Sequence, residues 1–253
     1  MMIQGDFTHL AEAYANRPAY AEPVIDQLAA AIRAHASSPT AADVGAGTGK
    51  LTQMLQARGL EGFAIEPNEA MRREGEKLGL PSFTWRTGSA EETGLEDGGV
   101  DLVTMASAFH WTDAGRALAE FYRILRPGGV LALLWNPRDL ARDRLQADIE
   151  GDIAMIAPDI RRRSSGGAAY TDGLEDKLLG DGLFRDVVFL EAPHIEEMSA
   201  ERHLGAWRSV NDIRAQAGEE KFGEIIAAIE RRLEGCDQVA VRYRTRAWFV
   251  RRA

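Results

Sequence analysis

The sequence predicts an α/β fold built on a doubly wound, mostly parallel sheet with helical covering insertions. Three observations predict it. Strand and helix patterns alternate through the first half of the chain, the arrangement that feeds a parallel sheet covered by helices. The segment Val100 to Ala106 is almost wholly apolar, as a strand buried on both faces has to be. A glycine-rich turn, Gly45 to Gly49, joins the first strand to a helix.

The elements follow in order. Residues 22–35 read as a helix, with Pro23 near its start and Val24, Leu28 and Ile32 at helical spacing. A strand ends in Asp43-Val44-Gly45, and the next helix sets Leu51, Met54 and Leu55 on one face before Gly59 stops it. Gly62 to Ile65 is the second strand, ending at Glu66, with Asn68 as the cap of a third helix. Residues 82–86 and 100–106 form the third and fourth strands. A helix capped by Thr112 or Asp113 then places Leu118, Phe121, Tyr122 and Leu125 inward. Pro127-Gly128-Gly129 turns the chain into the fifth strand, Val130 to Trp135. Beyond it, Val187 to Leu190 and Val239 to Tyr243 are the strong strand candidates. Phe222, Ile225, Ile226, Ile229 and Leu233 mark an amphipathic helix. The connections near 137–183 and 193–237 are far longer than ordinary loops, so they are expected to be covering elements. The expected organisation is a single domain: a ligand-binding core over 1–136, and remaining strands with helical insertions over 137–253.

Composition narrows the function classes. The 253 residues are 45% apolar, enough for a real core, and no run approaches the ~20 apolar residues that cross a bilayer. The start of the chain lacks a basic segment followed by an apolar one, so a cytoplasmic protein is expected. One cysteine, Cys236, excludes internal disulfides and Cys-based zinc sites; it is expected at a helix end or in the core. No His, Asp or Glu cluster has metal-ligand spacing, so no metal is expected. A net charge of −9 argues against nucleic-acid binding. Arg161, Arg162 and Arg163 form a basic run. Arg242, Arg244 and Arg246 alternate along one face of a strand, where a solvated, edge-protecting role is expected.

The most informative segment is Asp43-Val44-Gly45-Ala46-Gly47-Thr48-Gly49-Lys50. Alternate glycines between a strand and a helix let a ligand approach the backbone, and the helix start offers free N–H groups. A Walker A loop is excluded, because Val44 stands at its first glycine and Leu51 follows Lys50. A dinucleotide fingerprint places its third glycine one residue later than Gly49. What remains is Gly-x-Gly-x-Gly with an acidic residue before it.

That pattern resembles motif I of the class I S-adenosylmethionine-dependent methyltransferases. The family implies a Rossmann-like sheet of seven strands, S-adenosylmethionine as cofactor and S-adenosylhomocysteine as product. By this resemblance Asp43, Gly45, Ala46, Gly47, Thr48 and Gly49 face the cofactor. Glu66 holds the two ribose hydroxyls, which suits a carboxylate that accepts two hydrogen bonds. Pro67, Asn68 and Met71 border the adenine, as does the segment Ser89, Ala90 and Glu91, where the family usually has Asp in place of Ser89. Ala106 ends the fourth strand beside the cofactor. Leu125 to Gly129 resembles the family's turn before the fifth strand. Tyr14, Arg17, Pro18 and Tyr20 resemble the N-terminal element of the small-molecule branch that includes trans-aconitate-type methyltransferases, and Ala108 to Trp111 resembles its element after the fourth strand. Tyr14 and Arg17 are thus expected at the cofactor, and Tyr20 at the acceptor; packing residues on a helix are the alternative for both tyrosines.

The resemblance implies methyl transfer by in-line displacement to a small molecule, with no nucleic-acid or membrane partner. Phe109, Trp111 and Trp135 are expected in the wall of the acceptor pocket. Trp207 and Arg208 lie on a candidate helix where they either grip an anionic acceptor or pack the helix. His110 is the candidate general base, since an unperturbed histidine titrates near ~6.5; a hydrogen-bonded wall residue is its other reading. A non-catalytic cofactor-binding module and an NAD(P)-dependent oxidoreductase are the competing functions. The sequence leaves open the acceptor and the oligomeric state.

Overall fold

The computed structural model describes residues 7–162 and 171–253, so Arg163 of the basic run lies outside the described residues. Seven strands form one sheet: β1 (Thr40–Val44), β2 (Glu61–Ile65), β3 (Phe83–Arg86), β4 (Val100–Ala106), β5 (Leu125–Trp135), β6 (Phe184–Ser199) and β7 (Gln238–Arg252). Their order is β3-β2-β1-β4-β5-β7-β6. The first five pair in parallel, and β7 lies antiparallel to both β5 and β6. The sheet is therefore the Rossmann-like, mostly parallel one that the alternating pattern predicts.

Nine described helices surround it. They are α1 (Ala11–Tyr14), α2 (Glu22–Arg33), α3 (Lys50–Ala57), α4 (Glu69–Glu76), α5 (Ala114–Ile124), α6 (Arg144–Ile156), α7 (Leu174–Leu179), α8 (Ala200–Arg208) and α9 (Asn211–Leu233). The central strands are buried on both faces, and alternate residues serve different layers. Leu102, Val130, Ala132 and Leu134 pack against α2 and α3, while Val103, Leu131, Leu133 and Trp135 pack against α5 and α7. Backbones approach so closely at Gly62 (φ +147°) that a Cβ there would sit 1.9 Å from the Ala41 carbonyl oxygen. Only glycine lets β2 run beside β1 at that point.

A third apolar cluster lies beyond the sheet's carboxyl edge. Ile149 and Ile153 of α6, Trp207 of α8 and Ile213, Phe222, Ile225 and Ile229 of α9 pack there against Val239 and Val241 of β7. The two long connections do carry the covering helices.

Several elements differ from the expectation. The helix α5 ends at Ile124, so Leu125 opens β5, and Tyr122 lies half-buried, its ring edge-on to Phe184 at 6.2 Å. The last two strands are far longer than their apolar cores. β6 is an edge strand that exposes much of its length, carries Pro193 and shifts register between Arg185 and Val188, all of which disguise it as loop. β7 alternates buried Val239, Val241, Tyr243 and Thr245 with charged residues. Because β7 is internal, Arg244 and Arg246 do not protect an edge; they pair with Asp139 and Glu191. Cys236 is exposed after α9, outside the core.

Candidate functional site

The carboxyl ends of β1, β2 and β4 open into one cleft. Parallel register sets Val44 beside Ile65 and Asp43 beside Thr104, so the residues that follow each strand emerge side by side. In the loop after β1, Gly45, Gly47 and Gly49 all have left-handed φ, between +59° and +81°. A Cβ on Gly47 would stand 3.3 Å from Met71 Cε and 4.0 Å from the Tyr14 ring, inside the cleft. Gly45, Ala46, Gly47 and Thr48 line it. Gly49 is not among the lining residues; its conformation starts α3, and a Cβ there would stand 2.9 Å from Leu78 Cδ1 and 3.2 Å from the Trp85 ring.

Two buried carboxylates anchor the loop. Glu66, 7% exposed, accepts the Gly47 N–H at 2.8 Å on Oε2 and the Asn68 N–H at 2.9 Å on Oε1. Burial pushes its pKa upward and those two donors pull it back. Asp43 accepts the Thr52 hydroxyl at 2.6 Å and the Thr104 hydroxyl at 2.8 Å. Burial lifts it to about 6 all the same. Each oxygen of Glu66 keeps a lone pair for a further donor.

One half of the cleft is lined by Glu66, Pro67, Asn68, Met71, Ser89, Ala90 and Glu91, with Met105 and Ala108 below. Asn68 caps α4 by accepting the Met71 N–H at 3.1 Å and donates to Thr8. Ser89 Oγ accepts the Glu91 N–H at 3.2 Å, and the Glu91 carboxylate accepts the Asp113 N–H at 2.8 Å, which fixes this segment against the start of α5.

The other half is lined by Asp43, Thr48, Tyr20, His110, Asn136, Asn211 and Asp212, with Arg17 and Lys50 at its borders. Phe7, Tyr14, Ala106, Ser107 and Trp111 line both halves. The Tyr20 hydroxyl lies 3.3 Å from Ser107 Oγ, and burial pushes its pKa far up. Arg17 donates to the Ser209 hydroxyl at 2.6 Å and its carbonyl at 3.2 Å, tying the N-terminal segment to the end of α8. Asp212 pairs with Arg162 at 3.3 Å. His110 accepts the Trp135 indole N–H on Nδ1 at 3.4 Å. Burial lowers the His110 pKa to about 4, against the opposing pull of Asp212. At neutral pH the imidazole is uncharged and a weak base.

Four residues expected at the acceptor side lie elsewhere. Phe109 turns inward from a single 3₁₀ turn, Phe109–Trp111, and joins the core. Trp135, 1% exposed, faces the α5 layer because odd-numbered residues of β5 do so; it is edge-on to Trp248 at 5.6 Å. Trp207 packs inside the cover, under the Arg138 guanidinium at 3.9 Å, and gives its N–H to His203. Arg208 points outward to Glu230. Sequence reasoning missed Ser107, Asn136, Asn211 and Asp212. Ser107 and Asn136 carried a signal, each as the residue just beyond a strand end; Ser107 has the left-handed φ of 54° that sites tolerate.

The residues fit S-adenosylmethionine. Among the described residues, Thr48 Oγ1 is buried in the cleft without a hydrogen-bond partner, an orphan that a ligand would satisfy. Glu66 offers acceptors to a vicinal diol, and Asp43 offers a carboxylate to a cation. Among the described residues no group of His, Cys, Asp and Glu could hold a metal ion, and no helix is long and apolar enough to cross a membrane.

The sheet order, the glycine loop and the acidic residue after the second strand are the Rossmann-like arrangement that the sequence resemblance implies. Residues 42–133 match the family described as methyltransferase domain. An uncharacterised methyltransferase of Mycobacterium tuberculosis is 44% identical over 123 residues, 49% of this chain and 48% of that protein. One of Schizosaccharomyces pombe is 37% identical over 133 residues, 52% of each chain. The chain thus spans about half the length of the curated relatives it matches. A solved structure from Anaeromyxobacter dehalogenans, described as a type II methyltransferase, shares the fold at a TM-score of 0.62 with 24% identity, over 93% of this chain and 97% of that one.

Proposed function

We propose that this chain transfers a methyl group from S-adenosylmethionine to a small-molecule acceptor. The observation that carries the reading is the two-part cleft: a glycine loop pinned by Glu66 in one half, and a polar cavity closed by Asn211 and Asp212 in the other. When bound, S-adenosylmethionine supplies an activated methyl group for in-line displacement. The chain's own contribution is positioning and exclusion of water. Glu66 and the Gly47 backbone hold the ribose end, Met71 and Ser89 to Glu91 border the base, and Asp43 faces the amino group. Tyr20, His110, Asn211 and Asp212 surround the acceptor. In this reading residues 1–136 hold the cofactor and 137–253 complete the sheet and cover the acceptor. Placement in the trans-aconitate-type branch rests on Tyr14, Arg17 and Tyr20, all of which line the cleft.

The test is calorimetry with S-adenosylmethionine and S-adenosylhomocysteine, followed by a screen of carboxylate, phenol, amine and carbon acceptors for methyl transfer. Saturable binding and turnover of one acceptor class are expected. Binding without turnover of any class would point to a non-catalytic module, and binding of NAD in their place to an oxidoreductase.

A further inference from the structure

The cavity contains one imidazole, and its hydrogen-bond environment settles more than its burial does. Trp135 ends β5 and His110 follows β4; the pairing of Ala106 with Leu134 brings those two strand ends together. The indole Nε1 then lies 3.4 Å from His110 Nδ1. An indole nitrogen is a donor and has no acceptor role, so Nδ1 has to be the accepting nitrogen. A neutral imidazole carries a single N–H, and that hydrogen is left to Nε2.

We propose that Trp135 is a positioning residue that holds His110 as its Nε2–H tautomer, so that the ring lines the acceptor cavity in one protonation pattern and is not a general base. The proposal rests on the reading of this cleft as a methyl-transfer site.

Three features support it. The indole cannot swing away, because Trp135 is fully buried and locked edge-on against Trp248 at 5.6 Å. The imidazole is held from its other side by Trp111, whose ring centroid lies 4.7 Å away. Proton uptake at Nδ1 would set two N–H groups against each other, which costs the hydrogen bond. Proton uptake at Nε2 is blocked while the hydrogen is already there. The charged groups around the same cavity are Asp43, Asp212, Arg17 and Lys50, and Asp212 favours the protonated ring without overturning its neutral state.

The arrangement has a chemical consequence. An acceptor that must shed a proton does so without help from His110, to water or before it binds. What His110 supplies is orientation: a ring held in one tautomer presents the same polar edge in the cavity wall at every turnover. Trp135 therefore touches neither substrate nor cofactor and acts through the ring beside it.

The test is a long-range ¹H–¹⁵N correlation spectrum of the histidine-labelled full chain without ligand at pH 7, in which protonated and unprotonated ring nitrogens resonate far apart. The His110 signals are assigned by their loss in His110→Asn. The expected result is one tautomer with Nε2 protonated. In Trp135→Phe, which keeps an aromatic ring against Trp248, the two nitrogens should move toward the averaged positions of a tautomer mixture. A merely structural Trp135 would leave that signature in place. An Nδ1-protonated ring in the wild type, or the same tautomer ratio in wild type and Trp135→Phe, overturns the proposal. The wild-type spectrum decides even where the variant fails to fold. With an acceptor found in the screen, Trp135→Phe should raise the acceptor KM roughly two- to tenfold, the scale of one neutral hydrogen bond, with a smaller change in kcat. Because the spectrum needs no cofactor or acceptor, an Nε2–H ring in a chain that transfers no methyl group would refute the proposed function and leave the positioning role standing.

Discussion

Glu66 and Asp43 are both buried carboxylates beside the glycine loop, yet their surroundings assign them different tasks. Glu66 is bound by backbone N–H groups, which oppose the upward push of burial on its pKa and hold it as an acceptor. Replacing it with Ala is expected to weaken S-adenosylmethionine binding by about 1.5–3 kcal/mol, the scale of hydrogen bonds to a charged group, as read by calorimetry. Glu66→Gln should lose less, because the amide oxygen still accepts one bond. Asp43 is held by the Thr52 and Thr104 hydroxyls and by the Thr52 backbone N–H, and titrates at about 6. A bound cation favours its ionised form, so binding at low pH must expel a proton. Affinity for S-adenosylmethionine should therefore fall as pH drops below about 6, and Asp43→Asn should bind more weakly with that dependence removed. The glycine loop and Glu66 were legible in the sequence because each is a local pattern tied to the end of a strand. Asn211 and Asp212 were not, since they reach the cavity through the packing of a helix more than a hundred residues away from the loop. His110 was legible as a candidate, but its neutral state follows from burial, which local sequence could not show.

At the scale of elements, polar side chains tie the cover together and to the N-terminal segment. Arg17 joins the N-terminal segment to α8 through Ser209, and Arg162 joins α9 to Glu150 of α6 through Asp212. Gly218 interrupts α9 with φ 75° and ψ 170°, so its first two turns are a separate short piece. Those turns carry Asn211 and Asp212. Backbone hydrogen exchange across residues 200–217 is expected to slow when S-adenosylhomocysteine binds, and to quicken in Arg17→Ala without ligand. Equal protection in all three states would make the cover a rigid part of the fold. The helical periodicity of residues 222–233 was legible, whereas the piece before Gly218 was not, because it buries polar as well as apolar residues. The lengths of β6 and β7 escaped for a related reason: both strands are held by ladder bonds along stretches whose side chains are charged.

For the whole molecule, acid should be the weak point. His110 and His203 are buried as neutral rings, with values near 4 and 3, while the unfolded chain takes up those protons near ~6.5. The unfolded state therefore binds more protons below that pH, and stability falls as pH drops through this range. Asp43 acts in the opposite direction, because its raised value lets the folded state take up a proton below about 6. His194, Glu120 and Asp152 act with the two histidines and Glu66 acts with Asp43, so Tm should decline between pH 7 and pH 5; His203→Gln should decline less steeply. A different consequence follows from the aromatic wall of Phe7, Tyr14 and Trp111, which borders both halves of the cleft. Phe7 meets Tyr14 at 5.5 Å and Trp111 at 6.2 Å, so the three rings form one partition along both halves. Two ligands that share such a partition cannot come and go independently. The turnover cycle should run as an ordered queue, with the spent cofactor last to leave. Initial-rate patterns would then be sequential, with S-adenosylhomocysteine a competitive product inhibitor against S-adenosylmethionine, and opening the partition by Trp111→Ala should speed its departure.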